Sequence, residues 1–141
     1  MELAQLYTIA GRNQIPVLRH PLPLSGSLSL QTDQGCVIGL DRTVCDCRSV
    51  EKTHLAHELG HCLTGSFYNP YCARDLRRRH EVRADKWAIE LLIPAHALDR
   101  AVAEGHTELW DLADHFGVTE EFMKKAVCYH VHGNLATELY F

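Results

Sequence analysis

Residues 53–64 read Thr53-His54-Leu55-Ala56-His57-Glu58-Leu59-Gly60-His61-Cys62-Leu63-Thr64. Within them His57-Glu58-Leu59-Gly60-His61 is an HExxH pattern. Four residues along a helix turn through ~400°, so His57 and His61 point the same way, one turn apart. Two imidazole nitrogens at that separation can bind one Zn²⁺ at roughly 2.0–2.1 Å. Glu58 is rotated only ~100° from His57. Its carboxylate can therefore reach a water on the open side of a metal without displacing a ligand, the arrangement used in metal-assisted hydrolysis. Leu55, Ala56, Leu59 and Leu63 offer an apolar side and no proline interrupts. A helix from about Ser49 to Leu63 or Thr64, ended by Gly65, is predicted. The competing reading is a chance match on a solvated helix face. Gly60 costs a helix ~1 kcal/mol relative to alanine, and its small size points to close backbone packing.

A catalytic zinc needs a third protein ligand. Downstream lies Glu81-Val82-Arg83-Ala84-Asp85, inside a second predicted helix from about Arg74 to Leu92 that Pro94 stops. Glu81 and Asp85 are i, i+4 and share one face. Glu81 is placed to complete the site. Asp85 can receive the N–H of a ligating imidazole, His57 above all, and so fix its ring.

Elsewhere, Leu3, Leu6, Tyr7 and Ala10 recur at helical spacing over 2–12. Ile15-Pro16-Val17-Leu18 reads as a short extended piece and the proline-rich stretch after it as a loop. Leu28, Leu30 and Thr32 alternate with Ser27, Ser29 and Gln31, and Asp33-Gln34-Gly35 turns the chain into Cys36–Leu40, an expected antiparallel hairpin. After Asp41 the period becomes helical to the end. A short helix is expected over 95–103, closed by Gly105, then two more joined across Phe116-Gly117-Val118-Thr119.

The 141 residues carry 14 basic and 18 acidic side chains, a net charge of −4 with neutral histidines. That balance disfavours a general nucleic-acid binder. No run approaches a membrane span, and with Glu2 and no basic or apolar leader region no secretory signal is expected. The six cysteines, irregularly spaced, are expected to be reduced thiols of a cytoplasmic protein. Ten histidines are the compositional outlier and direct attention to metal and proton chemistry.

Leu55-Ala56 before HELGH, then E-x-x-A-D at 81–85, then Trp87-Ala88-Ile89-Glu90-Leu91-Leu92-Ile93-Pro94, together resemble the ImmA/IrrE family of zinc metallopeptidases. Leu112-Ala113-Asp114-His115-Phe116-Gly117-Val118-Thr119 is similar to that family's C-terminal helix-turn-helix-like segment. The resemblance implies His57, His61 and Glu81 as ligands of one zinc ion per chain, and Glu58 as the catalytic carboxylate. It also implies a protein substrate, an XRE-type helix-turn-helix transcriptional repressor of a prophage, mobile element or stress response. Two positions depart from the pattern. His54 stands where the family usually has a hydroxyl or small residue and reads as a surface histidine. Arg83 replaces a frequent second glutamate.

The expected fold is α+β, a zincin-like metallopeptidase domain spanning 1–141. It has a small antiparallel sheet packed on the HExxH helix, a mostly helical C-terminal half and a helix-turn-helix-like segment over about 106–133. DNA contact by that segment is disfavoured, because its second helix opens Glu120-Glu121 and offers only Lys124 and Lys125 to phosphates. Arg77-Arg78-Arg79 reads as a solvated face, and His130 and His132 as an exposed element end. Tyr68, Tyr71, His80 and His106 are candidate oxyanion donors. Two alternatives stand beside the peptidase: a deformylase-like amide hydrolase using Cys45 or Cys47 as third ligand, and a non-catalytic repressor-binding module with a structural zinc.

Overall fold

The computed structural model describes residues 1–68 and 71–133. Helix α1 (Leu3–Arg12) buries Leu6 and Ala10. Strands β1 (Val17–Arg19), β2 (Ser27–Thr32) and β3 (Gly35–Leu40) follow, then a single 3₁₀ turn at Val44–Asp46. Five helices complete the described chain: α2 (Arg48–Thr64), α3 (Arg74–Leu92), α4 (Ala95–Ala103), α5 (Leu109–Phe116) and α6 (Glu120–His132). The fold is α+β with a small mixed sheet. The periodicity places α2 to α6 within a residue or two of their observed ends. Residues 134–141, which the helical expectation also covered, lie outside the described residues.

The sheet differs from the all-antiparallel expectation. Its order is β1-β3-β2. β2 and β3 form the expected hairpin, pairing Ser27 with Leu40 and Thr32 with Gly35. β1 runs parallel to β3, pairing Val17 with Ile38. The extended piece at 17–19 is too short for its direction to be legible, and it takes β3's open edge. β2 is thereby left as the opposite edge. Its alternation is inverted relative to a core-facing strand: Ser27 is buried, while Leu28 and Leu30 are exposed.

The core lies between the sheet and the helices. Ile38 and Leu40 of β3 pack with Leu55 and Leu59 of α2, Ile89 and Ile93 of α3 and its end, and Met123 of α6. Each is essentially solvent-free. Burying such a side chain stabilises by about 1.5–3 kcal/mol, so this cluster fixes α2 between sheet and helices. One cysteine expectation is overturned. Cys36 and Cys62 form a disulfide with Cα atoms 5.9 Å apart, joining β3 to the last turn of α2. Irregular spacing concealed it because strand-on-helix packing, not a motif, brings the pair together. Cys45, Cys47, Cys72 and Cys128 are free thiols. Among the described residues no helix is long and apolar enough to cross a membrane.

Candidate metal centre and cleft

The site is built where α2 and α3 lie side by side. A Cβ on Gly60 would sit 2.5 Å from the Ala84 carbonyl oxygen, so the two backbones meet where only glycine fits. That approach brings Glu81 and Asp85 of α3 over the histidine face of α2. Glu81 Oε2 lies 2.8 Å from His57 Nε2 and 3.3 Å from His61 Nε2, and the two Nε2 atoms are 3.2 Å apart. Tetrahedral zinc with bonds of about 2.0–2.1 Å separates its ligand atoms by roughly 3.3 Å. The three atoms already form one face of such a tetrahedron.

The far side of each group is anchored. His57 Nδ1–H donates to Asp85 Oδ1 at 2.7 Å, and His61 Nδ1–H to the carbonyl of Ser66 at 2.5 Å. Tyr68 donates its hydroxyl proton to Glu81 Oε1 at 2.7 Å. Lys125 of α6 reaches Asp85 Oδ2 at 3.2 Å. With both Nδ1 atoms donating outward, the two Nε2 atoms and a carboxylate oxygen converge on one point, where they can share a proton or a metal ion. The proton affinities say the same. Burial alone would disfavour a charged His57, but hydrogen bonds to Asp85 and Glu81 outweigh it and raise its pKa to about 10. His61 moves up in the same way, with Glu81 and the Ser66 carbonyl overcoming burial. Burial would raise Glu81, yet the two histidines and Tyr68 hold it far below the usual carboxylate range. Burial and the hydrogen bond to Glu81 push the Tyr68 hydroxyl up to about 12.

Glu58 is buried beside this triangle and accepts a 2.7 Å hydrogen bond at Oε2 from Ser27 at the start of β2. Ser27 has one proton to give, so the 2.7 Å contact between its Oγ and His54 Nδ1 must be donated by the histidine. His54 is therefore not the surface residue expected from sequence. It is half-buried, and burial lowers its pKa. Gly26 makes this contact possible. Its φ is +78°, and a Cβ there would come within 3.1 Å of the His54 ring. Neither Ser27 nor Ser66 was singled out in the sequence. The sole available signal for Ser27 was the Gly26-Ser27 turn ahead of an alternating strand.

A cleft of about 1090 Å³ opens onto these groups. Leu28 and Leu30 of β2 form one wall, Tyr68 and arginines of α3 another, and Phe122 and Lys125 of α6 a third. Of the proposed oxyanion donors only Tyr68 lines it. Tyr71 is exposed outside it, His80 stacks behind Tyr68 with ring centroids 6.2 Å apart, and His106 belongs to the α4–α5 corner. The arginine run is not uniformly solvated, because Arg77 and Arg78 face the cleft and the Arg77 guanidinium lies 5.4 Å from the Tyr68 ring centre. Cys45 and Cys47 lie on the approach to α2 and neither lines the cleft, so the position a deformylase-like cysteine would fill is held by Glu81. In α6, Lys125 turns inward to Asp85 and not toward a nucleic-acid face. His130 is half-buried with Nε2 2.6 Å from the Ile93 carbonyl, whereas His132 is exposed at the helix end.

A model of the M78 peptidases, described as the IrrE N-terminal-like domain, matches residues 10–127. The chain belongs to the ImmA/IrrE family. The match spans the sheet, the α2–α3 pair and most of α6, so every wall of the cleft falls inside the family domain. Membership makes this a peptidase-type domain and points to a metallopeptidase. No curated protein and no solved structure matches the chain.

Proposed function

We propose that this chain is a zincin-like, zinc-dependent endopeptidase whose substrate is a helix-turn-helix transcriptional repressor of the XRE type. One observation carries the chemistry: His57, His61 and Glu81, from two helices, present three ligand atoms within 3.3 Å of one another at the floor of an open cleft. In this reading those three residues hold the ion and Asp85 and Ser66 fix the imidazole rings. When bound, the ion supplies a Lewis acid that acidifies water and polarises a carbonyl. Glu58 takes the proton of the attacking water and later delivers it to the leaving amine. The Ser27 hydrogen bond holds that carboxylate toward the cleft. Tyr68, the one of the four candidate donors on the cleft wall, would release Glu81 Oε1 to donate to the developing oxyanion. The exposed edge of β2, with Leu28 and Leu30 beside Glu58, suits an extended peptide.

The test is incubation of the purified chain with a helix-turn-helix repressor encoded beside it. A single cut that disappears with chelator and with Glu58→Gln supports the reading. Tight binding without any cut would instead favour the non-catalytic repressor-binding module.

A further inference from the structure

We propose that the corner between α4 and α5 is a second metal site, in which His106, His115 and Glu104 bind a zinc-class dication independently of the α2–α3 cluster. The ligand atoms of these three residues lie within 4.8 Å of one another. The chain makes this corner with three backbone hydrogen bonds: Glu104 to Arg100, Gly105 to Val102, and His106 back to Ala101, each at 3.0 Å. Gly105, at φ +103°, supplies the reversal that puts Glu104 and His106 on the same side. His106 then meets α5, where Asp111 and His115 are i, i+4 and share a face. His106 Nδ1–H donates to Asp111 Oδ2 at 2.9 Å. The ring is thereby held in the tautomer whose Nε2 carries a lone pair, the carboxylate–histidine pairing found behind metal-ligating imidazoles.

The His115 ring faces His106 with centroids 4.4 Å apart. Nothing in the core requires this pairing, since His115 is exposed and His106 only half-buried. A shared cation is the physical reason for two imidazoles to meet on the surface beside a glutamate. Bringing the atoms, which lie within 4.8 Å of one another, to the roughly 3.3 Å spacing of a tetrahedral site needs rotation of the exposed Glu104 and His115 side chains toward the half-buried His106. Two nitrogens and one oxygen select zinc and its borderline neighbours over magnesium or calcium, which take all-oxygen shells. The ion would clasp the end of α4 to α5, on a different face from the cleft, whose lining includes none of these residues.

The test is metal stoichiometry on chelator-stripped full-length protein dialysed against zinc chloride. The wild-type chain is expected to bind two ions and His115→Ala one. His57→Gln/His61→Gln should keep one ion and lose it when His115→Ala is added. His115 is exposed, so its loss leaves folding intact, and circular dichroism checks this. Asp111→Asn removes no ligand and should weaken the second site about 10- to 100-fold. Retention of the ion in the His57→Gln/His61→Gln/His115→Ala chain overturns the proposal. So does a wild-type chain whose zinc content His115→Ala leaves unchanged. A Co²⁺ derivative of His57→Gln/His61→Gln showing thiolate charge transfer would overturn it too, by assigning the ion to a free cysteine. Because the readout is bound metal at separate residues, failure of the peptidase reading leaves this result interpretable, and the converse also holds.

Discussion

Among the described residues two clusters pair two histidines with a glutamate, and they are constructed in opposite ways. In the α2–α3 cluster both histidines come from one helical turn, each has its Nδ1 anchored, and the glutamate is held by a tyrosine. Its atoms stand within 3.3 Å of one another. In the α4–α5 cluster the ligands come from a turn and a neighbouring helix, only His106 has a carboxylate behind it, and Glu104 and His115 are exposed. The difference is one of preorganisation. Ligands that are already anchored lose little freedom when an ion arrives, whereas exposed side chains must be ordered at that moment. The first cluster should therefore bind far more tightly, and Glu58 and the cleft lie beside it.

The comparison can be broken most decisively at Glu58. Replacing it with Gln keeps the shape of the α2–α3 cluster and removes the proton acceptor. Repressor cleavage should fall by about 10²- to 10⁴-fold, while zinc content measured by elemental analysis stays that of wild type. Retained cleavage would remove Glu58 from the mechanism.

Next in size is Gly60→Ala. The added methyl would press on the Ala84 carbonyl at 2.5 Å. Backbone cannot give way as a side chain does, so a loss near the upper end of about 1–3 kcal/mol is expected in chemical denaturation. Zinc affinity at the first cluster should fall with it, because α3 carries Glu81. The second cluster should keep its affinity.

Asp85→Asn sharpens the role of the anchors. It leaves all three ligand atoms and should weaken zinc at the first cluster by about 10- to 100-fold in competition with a chromogenic chelator. An unchanged affinity would mean that helix packing alone orients His57.

The smallest effect is in protons. His57 has a folded pKa of about 10 against an ordinary 6.5. The stability it contributes to the chelator-stripped chain is complete below 6.5 and is lost as pH rises through about 10. The stability difference between wild type and His57→Gln should therefore shrink from neutral pH toward pH 10. For the same reason zinc binding at pH 7 must expel a proton from the cluster. The calorimetric binding enthalpy should accordingly vary with the ionisation heat of the buffer.

Much of this was legible from one strand of text. HExxH carries its own geometry, because an α-helix converts a spacing of four into a shared direction. E-x-x-x-D works in the same way on α3, and Gly60 announced a close contact before its partner was known. The misjudged residues all depend on what lies across a gap. Nothing near His54 in the sequence marks it as covered, because the turn at Gly26 that packs against it lies far upstream. Cys36 and Cys62 sit 26 positions apart with no motif between them. The direction of β1 is set by the open edge it meets, and its three residues carry no record of that.

Local periodicity and spacing thus determined the helices, the two-histidine face and the residue types available for catalysis, since these follow from dihedral geometry repeated along neighbouring residues. Only the packed chain decided that Ser27 and His54 stand behind Glu58, that Cys36 meets Cys62, and that Glu104, His106 and His115 come together at a second corner. The first two join segments distant in sequence, brought together by burying the faces of α2 and the sheet, and the third depends on the turn at Gly105 that sets α5 against the end of α4.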